Sequence, residues 1–165
     1  MSRLITLLVV LSLAGTSLAQ ADARKDCFEK SGDIAIRACS EAIERNPRDT
    51  VSYVNRAFEY LQKGDHARTI ADYSKAIELD ASRSDAYQGR AWAYLKAGKP
   101  AEGLADAERS LQIKPDDATA LDTRGHIYEA LGRREDAIAD FRRALAVEPR
   151  MQGSREGLRR LGVRP

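Results

Sequence analysis

The chain repeats itself every 34 residues, and that period leaves few folds open. Set in rows that start at Thr50, Ser84 and Ala118, the sequence aligns Tyr60 with Tyr94 and Tyr128, and Gly64 with Gly98 and Gly132. The same rows align Arg56 with Arg90 and Arg124, and Asp72 with Asp106 and Asp140. A fixed period of this length marks units that cannot bury their apolar faces alone and must stack on their neighbours.

Each row reads as two helices. In the first, Tyr53, Arg56, Ala57 and Tyr60 fall at i, i+3, i+4 and i+7, one face of an amphipathic helix. Gly64 and Asp65 break it. The second helix carries Thr69, Ile70, Tyr73, Ala76 and Ile77 on one stripe and ends near Leu79. In the next row Pro100 opens the second helix, where its missing N–H costs nothing, and Pro115 cannot continue it. Pro149 closes the third row in the same way. No segment alternates with period two for long enough to make a strand. With 32% charged and 6% aromatic residues, the composition also suits an all-α fold.

These columns resemble those of the tetratricopeptide repeat family. The opening aromatic column holds Tyr53, Tyr87 and Leu121, and the first-helix small column holds Ala57, Ala91 and Gly125. The second-helix small column holds Thr69, Gly103 and Ala137, followed by Tyr73, Ala107 and Phe141 in the aromatic column. Ala81, Pro115 and Pro149 stand in the closing proline column. The middle row is the weakest, because Gly103 and Ala107 supply less bulk. The resemblance implies a right-handed α-solenoid of antiparallel helix hairpins with a concave groove for peptides or proteins.

The arginine column departs from the family, which usually places leucine there. A charge on a core-facing stripe is costly unless paired. Arg56 stands eight residues before Gly64 and Asp72 eight after it, so an antiparallel hairpin brings them level. The same holds for Arg90 with Asp106 and for Arg124 with Asp140. Three partly buried salt bridges within the hairpins are expected, fixing helix register by bidentate pairing.

The start of the chain reads as a signal peptide over 1–21. A short basic start, Met1 to Arg3, precedes the apolar run from Leu4 to Ala14, and small residues follow. Cleavage is expected after Ala21, with Ala19 and Ala23 as neighbouring alternatives. The apolar run is too short to span a bilayer, which takes about 20 residues; retention as an uncleaved anchor is the alternative reading. A lipid-attachment cysteine follows small apolar residues, whereas Cys27 follows Arg24, Lys25 and Asp26. The expected location is therefore periplasmic or secreted. The whole chain has 27 basic and 25 acidic residues, a net +2; losing Arg3 leaves 26 against 25, or +1. A near-neutral exported chain is a poor nucleic-acid binder.

Export changes the reading of the only two cysteines, Cys27 and Cys39. An even pair this close in an oxidising compartment reads as a disulfide, in preference to a metal pair or a thiol nucleophile. The cysteines flank Gly32-Asp33 at nearly equal distance, so the bond would staple a short N-terminal hairpin over 22–47. Ala35, Ile36, Cys39, Ala42, Ile43 and Pro47 lie one period before Thr69, Ile70, Tyr73, Ala76, Ile77 and Ala81, with two residues missing after the turn. Ala38 occupies the aspartate column, so this unit lacks the ion pair. The expected order is then three repeats over 50–83, 84–117 and 118–151, and a capping helix and tail over 152–165. In that cap Arg155, Arg159 and Arg160 are expected to face solvent while Leu158 and Leu161 cover Phe141 and Leu145.

The second face of each first helix lines the groove in the family. Here it carries Val54, Asn55 and Phe58, then Gln88, Trp92 and Lys96, then Asp122 and His126. Phe58, Trp92 and His126 make one column suited to anchoring a peptide. Phe58 and Leu61 could equally pack on the N-terminal unit. The basic-and-asparagine clamp of some family members is absent. No nucleophile–base pair, phosphate loop, metal-spaced cluster or cofactor motif is present, and Asp122 with Glu129 reads as a solvated face. The expected function is a non-catalytic adaptor for a protein or peptide partner, with no membrane span in the mature chain. A self-associating, homo-oligomeric component of an envelope assembly is the alternative.

Overall fold

The computed structural model describes residues 23–165; the signal segment expected over 1–21 lies outside them. Among the described residues there are nine helices and no strand. Residues 23–29 form α1. It is followed by α2 (Gly32–Arg45), α3 (Thr50–Gln62), α4 (His66–Leu79), α5 (Ser84–Lys96) and α6 (Pro100–Ile113). The chain ends with α7 (Ala118–Ala130), α8 (Arg134–Val147) and α9 (Gln152–Arg160). Helices α3, α5 and α7 each have 13 residues, and α4, α6 and α8 each have 14, so the sequence period is a period of structure.

Each hairpin turn is set by one glycine. Gly64, Gly98 and Gly132 take φ of 74°, 74° and 73°, a left-handed conformation that other residues reach only at a cost. That conformation lets the amides of Asp65, Lys99 and Arg133 bond the carbonyls of Tyr60, Tyr94 and Tyr128 at 2.9, 2.9 and 2.8 Å. Pro100 sits in the first turn of α6. The N-terminal unit differs at this point, because α2 begins at Gly32 itself, without the intervening turn that separates Gly64 from His66. The two missing residues are that turn.

The stacking follows from two interlocking columns. Tyr73 on α4 packs where Gly89 on α5 leaves room; a Cβ at Gly89 would lie inside the contact distance of the ring. Phe141 on α8 is fully buried between two glycines, Gly125 of its own hairpin and Gly157 of α9. The middle repeat has only Ala107 in this column. The missing bulk comes from the next repeat, whose Ile127 is fully buried against Ala91 and Ala107. Leu104 joins both that cluster and the one formed by Tyr128, Ile138, Phe141 and Leu158.

All three arginines fork onto their aspartates. Arg56 donates from Nε and Nη2 to the two oxygens of Asp72 at 2.8 Å each. Arg90 meets Asp106 at 2.7 Å twice, and Arg124 meets Asp140 at 2.6 and 2.9 Å. The side chains of Asp72, Asp106 and Asp140 are 9%, 10% and 5% exposed, so these are screened little by solvent. The remaining Nη1 of Arg56 bonds Ser40 Oγ on α2, and that of Arg90 bonds Ser74 Oγ on α4, each at 2.9 Å. Each of these arginines therefore ties its own hairpin shut and also holds the preceding one. In the third repeat the same column carries Glu108, whose charge acts on Arg124 alongside Asp140.

The ends use other devices. Cys27 and Cys39 are joined by a disulfide, with Cα atoms 4.6 Å apart, in a small cluster that otherwise contains only Ala38. At the other end α9 stands 34 residues after α7 and is the first helix of an unfinished repeat. Leu158 occupies the arginine column there, 1% exposed and packed on Phe141 and Leu145. Arg155, Arg159 and Arg160 are exposed, as the amphipathic pattern predicts, but Arg160 also has partners on α7. It donates to both oxygens of Glu129 at 2.9 and 2.7 Å and contacts His126 Nδ1 at 3.1 Å. The cause is register, since Arg160 follows His126 by one full period and so enters the same column.

Candidate protein-binding groove

First helices touch one another along the stack, α3 with α5, α5 with α7 and α7 with α9; the second helices α4, α6 and α8 make no such contacts with each other. The side on which successive helices meet is the inner side of the curve. The groove is therefore lined by α3, α5 and α7, whose positions are fixed by the arginine pairs behind them.

Two clefts open on that side. One, of about 280 Å3, lies between α3, α5 and α7 and is walled by Phe58, Leu61, Tyr73 and Trp92, with Gln62, Gln88, Thr119 and Asp122 at its edges. Phe58 is 50% exposed, so its ring faces the cleft and is not buried on the N-terminal unit. Burial pushes the Tyr73 phenol far above its ordinary pKa, leaving it neutral at the cleft floor. Gln88 is held in place by donating to Thr123 Oγ1 at 2.8 Å. The second cleft, of about 470 Å3, is formed by Trp92, Leu95, Lys96, His126, Glu129 and Ala130.

Trp92 belongs to both clefts. Its ring centroid is 5.7 Å from that of His126, which in turn meets Phe141 edge-on at 4.9 Å. The Lys96 ammonium lies 5.3 Å from the Trp92 ring centroid, a cation–π contact. Asp122 accepts from Ser154 Oγ at 2.6 Å and stands 3.6 Å from His126 Nε2. Glu129 lies 3.4 Å from His126 Nδ1, and its carboxyl is held below the usual range chiefly by its hydrogen bonds from Arg160.

The structure thus brings Phe58, Gln88, Trp92, Lys96, Asp122 and His126 onto one surface. Two other expected groove residues stand apart from the clefts. Val54 packs against the cluster of Ile43, Tyr53 and Tyr73, and the Asn55 amide contacts the Cys27 sulfur at 3.9 Å. The N-terminal unit thus covers their end of α3. Sequence reasoning put Glu129 on the groove face, read it with Asp122 as a solvated pair, and missed its pairing with Arg160. The signal was present, because Glu129 falls in the column of Leu61 and Leu95, both of which line the clefts. Among the described residues no helix is long and apolar enough to cross a membrane, and no group of three or more His, Cys, Asp or Glu could hold a metal ion.

The fold and its inner surface define a helical-repeat protein of the solenoid class. Residues 51–83 match one tetratricopeptide repeat model and residues 90–161 match another, so the chain carries tetratricopeptide repeats. No curated protein matches the chain. Among solved structures it is similar to the second tetratricopeptide domain of human RPAP3, in complex with the HSP70 peptide SGPTIEEVD. That pair is 26% identical, covers 68% of this chain and 94% of the other, and has a TM-score of 0.64. The tetratricopeptide domain of Arabidopsis OM64 is 25% identical over 68% of this chain and 93% of its own, with a TM-score of 0.65. A crystal structure of MamA protein is 19% identical over 90% of this chain and 84% of its own; with a TM-score of 0.73 it shares the fold.

Proposed function

We propose that this chain is a non-catalytic protein-interaction scaffold that takes a peptide or protein segment in the groove lined by α3, α5 and α7. The observation that carries this reading is the half-exposed ring of Phe58 facing Trp92 across a cleft on the inner side of the stack. Exposed aromatics in a concavity bind well because they bury much area and lose little side-chain entropy. The peptide complex of the RPAP3 domain supports the same use of the fold. A photo-cross-linker at position 62 tests it in cells. Discrete adducts are expected, and they disappear when Phe58→Ala and Trp92→Ala are combined. A double variant that retains every adduct removes the groove from consideration.

We further propose that the protein works in the bacterial periplasm after cleavage behind Ala21. The signal-like start and the disulfide between Cys27 and Cys39 support an oxidising compartment. Ala23 is buried at 6%, and cleavage behind Ala21 keeps it on the mature chain. Sequencing of the protein purified from its host should begin at Asp22; a cytoplasmic chain that retains Met1 would contradict this.

A further inference from the structure

The two ends of the groove differ in charge. Around Phe58, Leu61 and Trp92 the polar groups are the neutral amides of Gln62 and Gln88 and the hydroxyls of Tyr73, Thr119 and Thr123; the carboxylate at that cleft, Asp122, already accepts from Ser154. Toward α9 the groove carries cations and carboxylates, and they answer one another. Arg160 is engaged by both oxygens of Glu129, and His126 stands between Asp122 and Glu129. Lys96 shares its cleft with Glu129. Glu129 occupies the column where the two preceding repeats have Leu61 and Leu95. Were that position neutral, Lys96 and Arg160 would outnumber the one remaining carboxylate, Asp122, at this end of the groove.

Resting on the groove reading above, we propose that the groove takes an uncharged segment anchored by an apolar side chain, and that Glu129 is the specificity determinant that turns acidic peptides away. A ligand carboxylate approaching Lys96 meets the Glu129 charge in the same cleft. To reach Arg160 it must displace two charge-assisted hydrogen bonds. An apolar anchor between Phe58 and Trp92 meets neither obstacle. Specificity then comes from a repulsive element placed beside an attractive one.

The test uses the full chain and two probes. Against a displayed library of random peptides the unaltered protein should enrich apolar and aromatic residues without enriching Asp or Glu. Against the acidic peptide SGPTIEEVD it should bind weakly, and Glu129→Gln, of the same size, should bind that peptide about tenfold more tightly, the scale of one hydrogen bond to a charged group. The double variant Glu129→Gln with Arg160→Gln should lose most of the gain, and circular dichroism verifies that each variant is folded. Enrichment of acidic peptides by the unaltered protein, or equal affinity of both proteins for SGPTIEEVD, overturns the assignment to Glu129 while leaving the groove reading intact. A library that yields no binder to any variant overturns the groove reading and this inference together.

Discussion

Arg56 holds both carboxylate oxygens of Asp72 and also reaches Ser40 on the preceding hairpin. One guanidinium thus sets register within a hairpin and spacing between two. Asp72→Ala leaves that cation largely buried without its counter-charge and should destabilise the protein by about 3 kcal/mol or more in urea unfolding. Ser74→Ala, which removes the corresponding contact of Arg90, should cost about 1 kcal/mol. A cost below roughly 0.5 kcal/mol for Asp72→Ala would mean that the pair behaves as an exposed one.

The glycines divide into two kinds with different predicted costs. Gly64 needs none of its room, since a Cβ there meets nothing within 4 Å, but it needs its φ of +74°. Gly64→Ala should therefore cost about 1 kcal/mol. Gly89 is helical and sits against the Tyr73 ring, so Gly89→Ala forces Tyr73 to move and should cost about 1–3 kcal/mol despite the better helix propensity of alanine. Shortening the aromatic with Tyr73→Leu should reverse the order, making Gly89→Ala neutral or favourable. Chemical denaturation of the four proteins decides this.

The N-terminal unit should be the first to open when its covalent link is cut. Its cysteine cluster contains only Cys27, Ala38 and Cys39, and the large side chain of α1, Phe28, is 64% exposed. Reduction, or Cys27→Ala with Cys39→Ala, should remove about 3 kcal/mol of local stability by the loop-entropy estimate. Hydrogen exchange would rise across α1 and α2 while α5 to α8 stay protected. Uniform loss of protection across the whole stack would refute this independence.

The C-terminal helix should respond to acid. Hydrogen bonds from Arg160 lower the Glu129 carboxyl from its ordinary 4.5. A depressed carboxylate contributes stability that is present above the unfolded value and is lost as pH falls through the folded one. Protection of α9 amides should therefore decline as pH drops below about 4.5, ahead of those of α7. Glu129→Gln should remove this step. An unchanged acid profile in that variant would assign the step to another group.

Much of the architecture was legible because it repeats. The Arg–Asp pairs could be read from equal distances about Gly64, Gly98 and Gly132, since an antiparallel hairpin converts sequence symmetry into spatial level. The interlocks between repeats were harder to read. Ser40 and Ser74 carry little signal as residue types, and their partners lie 16 residues downstream in the next hairpin. The bulk missing at Ala107 was restored by Ile127, a cross-repeat compensation that a single row cannot display. Arg160 is exposed, as an amphipathic pattern predicts, but that pattern does not display its pairing with Glu129. Its position one period after His126 was the better guide, because a column in a solenoid is a line in space.

Leu158 has a consequence for how such a chain could be lengthened or shortened. An internal 34-residue unit carries its own arginine and its own aspartate, so a copy inserted between α4 and α5 would arrive with its ion pair complete. In α9 the same column holds Leu158, which is satisfied by apolar packing. Leu158→Arg would strand a charge unless a following helix brought a carboxylate in the same step. The ionic lock travels with each internal unit as a self-contained pair, which makes the middle of this molecule modular.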